Sequence, residues 1–176
     1  MATMILLPDA TGAAQPEWVA VGETYPHQCL DDDNAATSYV KCSTDSRTII
    51  IEYANPSVAE ADIASIESVR FLSSGKANHR SDPSLVAISF AAPTAGFSET
   101  VSYDAHRTNF ETINGTARTT SDTSSAWTYS DLEDLEMLCI KSGTVEVYLS
   151  YLALEVTYTE AAGDNSVFFG CNFWDL

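Results

Sequence analysis

The stretch Val145-Glu146-Val147-Tyr148-Leu149-Ser150-Tyr151-Leu152-Ala153-Leu154-Glu155-Val156-Thr157-Tyr158 decides the fold of this chain. Its apolar residues alternate with the residues between them, which is the pattern of a strand with one buried face. The alternation changes phase midway. One face carries Val145, Val147, Leu149 and Tyr151, and the next carries Leu152, Leu154, Val156 and Tyr158. Because side chains alternate strictly along a strand, this shift predicts a bulge or bend near Ser150 and Tyr151, where the strand is expected to pass from one sheet to another.

Other segments of the chain carry the same period-two pattern. They are residues 48–53, the segment with Ile66, Val69 and Phe71, and residues 85–90, 98–103, 110–113 and 137–140. Residues 141–144 predict a hairpin loop, and the other connections are rich in Ser, Thr, Asn, Asp and Gly. About eight short strands without βαβ alternation predict an all-β fold, an antiparallel β-sandwich.

Two Ser-x-x-Glu sequences predict short helices in the connections. One is Ser130-Asp131-Leu132-Glu133 and the other is Ser57-Val58-Ala59-Glu60. In such a capping box the serine side chain bonds the amide three residues on, and the glutamate bonds back to the serine amide. Each helix is expected to be only a turn or two long.

The sandwich domain is expected to span residues 17–160, which leaves both ends of the chain outside it. Residues 1–16 are predicted to form an N-terminal arm or an edge strand, and residues 161–176 a C-terminal hydrophobic arm. Six apolar side chains of this arm are predicted to form an interface: Val167, Phe168, Phe169, Phe173, Trp174 and Leu176. The aromatic rings among them have large areas to bury. The alternative is that the arm docks over an edge of its own sheet.

Composition and charge restrict the classes of function. The chain has 176 residues, 45% of them hydrophobic, which suits one folded domain. Eight Lys and Arg against 25 Asp and Glu give a formal charge of −17. A field of that sign repels phosphate backbones, so no nucleic-acid binding is expected; it suits a solvent-facing outer surface, or it serves solubility alone. The sequence predicts no membrane span and no signal peptide, so we expect synthesis in a cytoplasm.

The sequence contains no complete catalytic set, so we do not expect an enzyme. The histidines are His27, His79 and His106. Asp104 precedes His106 by two residues, but no nucleophile accompanies the pair. We expect both to be polar residues of a surface loop. The stretch Gly96-Phe97-Ser98-Glu99-Thr100 fails the Gly-x-Ser-x-Gly pattern at its last position.

The four cysteines, Cys29, Cys42, Cys139 and Cys171, include no Cys-x-x-Cys pair, so a structural zinc site is not expected. His27 and Cys29 supply only two ligands. Free Cys is among the most buried residue types, and a cytosolic product keeps its thiols reduced. We therefore expect buried free thiols, with a disulfide between Cys29 and Cys42 as the alternative.

Asp31, Asp32 and Asp33 form the densest acidic cluster of the chain. Ca²⁺ takes six to eight oxygen ligands, often from such loops. The EF-hand spacing is absent, because the Gly and the Glu that it requires do not follow. The expectation is a solvated loop without a metal or other cofactor, and the alternative is a calcium site at these three residues.

Four aromatic residues leave two interpretations open. Trp18, Trp127, Tyr129 and Tyr103 form either a sugar-stacking platform or parts of the core. Aromatic rings stack on the apolar faces of ligands, but large rings are also highly buried on average. For Trp18 and Trp127 we favour the core.

The order of these landmarks resembles that of a family of tailed-bacteriophage virion proteins with a jelly-roll-like β-sandwich. The resemblance covers about residues 17–160 and rests on Trp18, Tyr25, Leu30-Asp31-Asp32-Asp33, Thr37-Ser38-Tyr39-Val40, the run at Ile49, the strand at Val69, Ala126-Trp127-Thr128, Asp131-Leu132, Leu135 and Leu154-Glu155-Val156-Thr157-Tyr158. Residues 56–65 and the aromatic C-terminal arm depart from the family pattern. The family supplies no catalytic residues to carry over.

The resemblance implies a structural virion protein, a capsid cement or decoration protein that stabilises the phage head. It would lie on the outer capsid surface and contact the major capsid protein and neighbouring copies of itself, as a homo-oligomer with a trimer favoured. The alternative function is a carbohydrate-binding module or a tail-fibre adhesin domain. Neither function involves nucleic acid or a membrane.

Overall fold

The computed structural model describes residues 1–32, 37–78, 84–92, 98–103, 109–121 and 125–162. Within these residues the chain forms eleven strands and one α-helix. The strands are β1 (Ala2–Leu6), β2 (Pro8–Ala14), β3 (Val19–Val21), β4 (Tyr39–Cys42), β5 (Thr48–Tyr53), β6 (Ile63–Ala77), β7 (Ser84–Ala92), β8 (Ser98–Tyr103), β9 (Glu111–Asn114), β10 (Glu136–Ser142) and β11 (Val147–Glu160), and the helix is α1 (Tyr129–Glu133). In this part of the chain no helix has the length and apolar character to cross a membrane.

Two antiparallel sheets pack as a sandwich, which confirms the predicted fold class. Sheet A has the order β3-β4-β11-β6-β9, and β1 also pairs with β11. Sheet B has the order β2-β5-β10-β7-β8. From β4 to β7, and again from β8 to β11, each strand lies in the opposite sheet from the one before it. This alternation is the jelly-roll-like arrangement. The hairpin predicted at residues 141–144 is wrong, because β10 and β11 lie in different sheets and the loop connects the sheets.

The strand β11 runs through the middle of sheet A and contains the predicted irregularity. Its register against β6 shifts between Leu149 and Tyr151, so the predicted bulge is confirmed. The predicted passage into the second sheet is wrong, because β11 pairs with β6 along its whole length. One extra residue in the bulge returns the apolar side chains to the inner side. Leu149 before the bulge and Leu152 after it are accordingly both fully buried.

The core lies between the inner sides of the two sheets, where alternate residues of each strand meet. One close approach there requires a glycine. A Cβ on Gly75 would lie 2.6 Å from the Tyr103 ring and 2.9 Å from Leu149. Gly75 in β6 therefore lets these side chains fill the core beneath it. The next residue, Lys76, lies on the outer side of the same strand.

The first residues of the chain belong to the two sheets. In β1, Ala2 lies opposite Tyr158 and Leu6 opposite Leu154, so β1 extends sheet A. The strand β2 pairs with β5 at the edge of sheet B. Leu7 joins the two strands. Its carbonyl accepts a hydrogen bond at 3.0 Å from the amide of Ala54, the residue directly after β5. Of the two alternatives for residues 1–16, the structure has strands at sheet edges.

Neither predicted capping box forms at its predicted position. The helix α1 is capped by Thr128, whose Oγ1 accepts from the Asp131 amide at 3.2 Å, while Asp131 Oδ2 accepts from the Thr128 amide at 2.7 Å. The box therefore uses an aspartate and begins two residues before Ser130. In the other segment, a 3₁₀ turn at Glu60–Asp62 forms without a side-chain cap.

The cysteines agree with the expectation of buried thiols. Cys29, Cys42 and Cys139 are buried and free, so the alternative disulfide between Cys29 and Cys42 does not form. Cys139 lies on the inner side of β10, where burial raises its pKa to about 12. Cys171 lies outside the described residues.

Candidate functional site

Five side chains from neighbouring strands form a patch on the outer side of sheet A. They are Tyr39 and Lys41 of β4, Tyr148 of β11, Lys76 of β6 and Phe110, which directly precedes β9. Each is partly exposed, while their neighbours along the strands point into the core. Tyr148 lies opposite Lys41 on one side and opposite Lys76 on the other. We call these five residues the aromatic patch.

The three rings of the aromatic patch contact one another and a lysine. The Tyr39 ring centroid lies 5.4 Å from that of Tyr148 and 6.3 Å from that of Phe110. Lys76 Nζ lies 4.7 Å from the Phe110 centroid and 5.1 Å from the Tyr148 centroid. These are cation–π distances, so the ammonium group holds both rings at the surface of the sheet.

A polar rim adjoins the patch at Glu146 and Asn78. The Tyr148 hydroxyl donates a hydrogen bond to the Glu146 carboxylate, and Asn78 Nδ2 donates to the same oxygen at 3.1 Å. Burial, and next the hydrogen bond and charge of Glu146, raise the pKa of Tyr148 to about 12. The phenol therefore keeps its proton at neutral pH and holds the carboxylate in a fixed place.

The patch lysines differ from other cations of the protein. Within the described part of the chain, neither Lys41 nor Lys76 makes an ion pair. Three other cations are engaged: Arg47 with Glu17 at 3.0 Å, Arg70 with Glu155 at 2.7 Å, and the buried Lys141 with the Gly143 carbonyl. The patch therefore presents two positive charges that no carboxylate of the described residues pairs with, on a strongly acidic protein.

The outer side of sheet B has a different character. Ile50 lies opposite Leu138, and in the next row Ile140 lies opposite Ala87. All four side chains are partly exposed. We call these four residues the aliphatic face. These four side chains offer neither an aromatic ring nor a charge, and the residues that complete their rows, Ser89 and Thr48, are polar.

A cavity of about 170 Å³ lies between the start of β6 and α1. Its wall includes Glu60, Trp127 and Tyr129. The Trp127 indole N–H donates to the Arg118 carbonyl at 2.9 Å, and the Tyr129 hydroxyl donates to the Val58 carbonyl at 3.1 Å. Small-molecule sites usually have volumes of about 300–1,000 Å³, so this cavity is small for a ligand pocket.

The sugar-stacking platform considered from the sequence does not form. Trp18, Trp127 and Tyr103 are buried, which confirms the core interpretation of both tryptophans. The Trp127 ring packs edge-on against Phe90 with centroids 5.6 Å apart. Tyr129 is partly exposed at the cavity, apart from the other three.

The acidic cluster is described only in part. Asp31 is partly buried and Asp32 is exposed, while Asp33 lies outside the described residues. Burial, and next the charge of Asp32, raise the pKa of Asp31. Among the residues that the structure describes, no three potential metal ligands come together. A calcium site at these three residues stays a prediction.

The histidines do not form a catalytic arrangement in the part of the chain that is described. His27 Nδ1 lies 3.1 Å from Thr11 Oγ1, and its ring stacks on Tyr25 with centroids 5.7 Å apart. His79 and His106 lie outside the described residues. That the chain is not an enzyme stays a prediction.

The predicted interface lies outside the described residues as well. This applies to all six of its side chains: Val167, Phe168, Phe169, Phe173, Trp174 and Leu176. The capsid partner, the trimer and the anchoring role of the arm therefore stay predictions.

Sequence reasoning missed the aromatic patch. Its members come from positions 39, 41, 76, 110 and 148, which no local motif connects. A signal was present in the outward positions of predicted strands: Tyr148 lies between the inward Val147 and Leu149. Which outward residues become neighbours depends on the strand order, which the sequence pattern does not contain.

Comparisons with known proteins concern the architecture alone. No protein-family model matches the chain, and no curated protein matches it. Among solved structures, a family 29 carbohydrate binding module from Piromyces equi has a TM-score of 0.41 and 12% identity, over 88% of this chain and 91% of that one. A CBM4 structure has a TM-score of 0.31 and 14% identity, over 75% and 92%.

A family two carbohydrate esterase from Cellvibrio japonicus is also similar, with a TM-score of 0.38 and 13% identity. The similarity covers 90% of this chain but only 34% of the esterase chain, so this chain spans about a third of its length. TM-scores and identities this low carry no information about a shared ligand or activity.

Proposed function

We propose that this protein is a carbohydrate-binding module and that its ligand binds across the aromatic patch. The observation that carries the proposal is the row of Lys41, Tyr148, Lys76 and Phe110 across adjacent strands, with Tyr39 beside it. Sugars present apolar C–H faces, which pack on aromatic rings, and hydroxyl groups, which bond to charged and amide side chains. The patch and its rim offer both kinds of group side by side.

The dimensions of the row fit an oligosaccharide. Neighbouring strands lie about 4.8 Å apart, so the strands that carry Lys41 and Lys76, on either side of β11, lie roughly 10 Å apart. The Phe110 ring reaches back to 6.3 Å from the Tyr39 ring, so the rings are clustered within this width. That width accommodates a short sugar chain that runs across the strands. Four of the five side chains project from the paired strands β4, β11 and β6 of sheet A. Most of the surface is therefore formed before a ligand binds, and little ordering cost accompanies binding.

The other surfaces support the proposal less well. The aliphatic face can exclude water but lacks donors for hydroxyl groups among its four residues. The cavity at Trp127 has a volume of about 170 Å³, and its two aromatic side chains already use their polar atoms within the protein. The aromatic patch combines partly exposed rings with two lysines that make no ion pair among the described residues.

The test is a glycan array with neutral and acidic oligosaccharides, followed by calorimetry with the sugars that bind. We expect Tyr148→Ala to weaken binding about tenfold or more, since an aromatic contact contributes about 0.5–1.5 kcal/mol beyond the area it buries. Leu138→Ala on the aliphatic face is the matched control and should bind like the unchanged protein. Circular dichroism and thermal unfolding establish that both variants are folded.

Two results would contradict the proposal. One is an array on which no oligosaccharide binds the folded full-length protein. The other is binding that Tyr148→Ala leaves unchanged. Tyr148→Phe refines the test, because it keeps the ring and removes only the hydroxyl that bonds Glu146. We expect this variant to retain most of the affinity.

The capsid decoration function, which the family resemblance implies, stays a prediction. It depends on the C-terminal arm, and a version of the protein that ends at Ala162 tests it. If the arm forms the interface, light scattering will show an oligomer for the full chain and a monomer for the shortened one. An unchanged mass would remove the arm from the interface.

A further inference from the structure

We propose that the sugar bound at the aromatic patch carries an acidic group, and that Lys41 and Lys76 bind this group above the Tyr148 ring. The inference rests on the proposed function and adds the chemical class of the ligand. It is motivated by the distribution of the few positive charges in this acidic protein.

The chain has only three lysines, at positions 41, 76 and 141. Lys41 and Lys76 lie directly opposite Tyr148, one on each neighbouring strand. Lys141 is fully buried, and its ammonium group donates to the Gly143 carbonyl. Both lysines on the outer surface of the sandwich therefore flank the same tyrosine.

The N–H donors of the two ammonium groups are not used by hydrogen bonds within the described residues. Over the described residues, neither Lys41 nor Lys76 has a hydrogen-bonded partner or an ion pair, although Lys76 Nζ contacts the faces of two rings. A lysine carries three donors on a flexible four-carbon stem. Their strands lie about 10 Å apart, two strand spacings, so the two stems can incline toward one anion above Tyr148.

The local balance of charge agrees with an anionic ligand. Among the described residues at the patch and its rim, Lys41 and Lys76 carry two positive charges and Glu146 carries one negative charge, so the balance is positive. The net charge of −17 repels anions at long range. At an ionic strength of about 0.15 M the Debye length is about 8 Å, so distant carboxylates are largely screened and the two nearby lysines dominate the potential at the patch.

In this arrangement the rings and the lysines of the patch make different contacts with a sugar. The rings of Tyr148 and Phe110 supply apolar contact that any sugar of suitable shape can use. The ammonium groups of Lys41 and Lys76 supply charge-assisted hydrogen bonds, which are roughly twice as strong as neutral ones. An acidic sugar uses both, and a neutral sugar uses the rings alone.

The experiment compares pairs of sugars that differ only in charge. The probes are oligogalacturonate and its methyl ester, and a sulfated galactan oligosaccharide and its desulfated form, each titrated into the full chain at about 0.15 M salt. We expect at least one acidic form to bind about tenfold more tightly than its neutral partner, which corresponds to about 1.4 kcal/mol. The pair that shows the difference distinguishes a carboxylate from a sulfate.

Variants assign the difference to the lysines. Lys41→Gln and Lys76→Gln should each reduce the preference for the acidic form, while Lys76→Arg should retain it. Arg70→Gln is the matched control, since it changes the net charge equally at a residue that is paired with Glu155 on the same sheet. It should leave the preference unchanged.

The inference is overturned if acidic and neutral forms bind equally, or if the preference survives in both lysine variants. Either result leaves the carbohydrate-binding function intact. If none of the four probes binds and the glycan array shows no binding either, the proposed function fails as well. The two failures are therefore distinguishable.

Discussion

The two outer faces of the sandwich differ although the strands beneath them are built alike. Sheet A presents the aromatic patch, with the rings of Tyr39, Phe110 and Tyr148 and two lysines that make no ion pair with any described residue. Sheet B presents the aliphatic face, with Ile50, Leu138, Ile140 and Ala87 at comparable positions of their strands. In both sheets the alternate residues point inward and form one core.

This difference shows that the inward and the outward residues of a strand are under different constraints. Inward residues are constrained by packing at interior density, so they are aliphatic or aromatic in both sheets. Outward residues are free of that constraint. An aromatic and cationic cluster in such positions is not required by the fold, which supports the proposed binding role.

The largest expected effect distinguishes a core residue of β11 from an outer residue of β10. Leu149 is fully buried, and Leu149→Ala should reduce the free energy of unfolding by about 2–5 kcal/mol, the usual range for a buried leucine. Leu138→Ala on the aliphatic face should cost less, because part of that side chain is already exposed. Urea unfolding measures both. Equal losses would mean that the aliphatic face is covered in solution.

The second effect concerns the interior beneath the aliphatic face. Burial raises the pKa of Cys139 from 9.0 to about 12, so the folded state favours the protonated thiol. The stability that this protonation provides is complete below pH 9.0 and is lost as the pH rises toward about 12. Above pH 9 the contribution of Cys139 to the free energy of unfolding should therefore fall by up to about 1.4 kcal/mol per pH unit.

Cys139→Ser is the control for this alkaline effect, since serine does not titrate in the range. Its free energy of unfolding should decline less steeply above pH 9 than that of the unchanged protein. Tyr53, which burial also shifts to a raised pKa, contributes to the decline in both proteins. Identical slopes would show that the thiol titrates alike in the folded and unfolded chains.

A smaller effect is expected on the patch itself. Tyr148→Phe removes the hydrogen bond to Glu146, which lies at a partly exposed position. We expect a change of about 1 kcal/mol or less in the free energy of unfolding. Together with a large effect of Tyr148→Ala on binding, this result would separate a ligand surface from a structural cluster. A loss of unfolding free energy as large as that of Leu149→Ala would show that the patch is a structural cluster.

The smallest effect is expected at the ion pair farther along sheet A. Arg70 Nε lies 2.7 Å from Glu155 Oε1, and both side chains are partly exposed. Exposed ion pairs contribute about 0–1 kcal/mol, so Arg70→Gln should barely alter thermal unfolding. A shift comparable to that of a core substitution would show that this part of the outer face is buried by a partner.

The sequence predicted the parts of the fold that one strand determines alone. Alternation located β5, β7, β8 and β10, and the phase change in residues 145–158 located the bulge, because both are properties of a single segment. The strand β2 gave no such signal, since Thr11, Gly12 and Ala13 do not alternate in polarity and pair through an irregular register. The helix α1 was misplaced because an aspartate closes its capping box.

The candidate site was beyond prediction for a related reason. Tyr39, Lys76 and Tyr148 are neighbours only because β4, β11 and β6 pair in that order and register. Neither the order nor the register follows from period-two patterning. Trp18 and Trp127, which the sequence offered as parts of a sugar-stacking platform, are buried, because large rings also fill cores.

The most direct measurement is a titration of the isotope-labelled full chain with the oligosaccharide that binds best on the array, followed by amide chemical shifts. We expect shift changes concentrated on β4, the first residues of β11 and the last residues of β6, centred on Tyr148. Little change is expected at Ile50, Leu138 and Ile140. Changes centred on the aliphatic face, or a bound sugar that leaves the amides around Tyr148 unaffected, would contradict the proposed site.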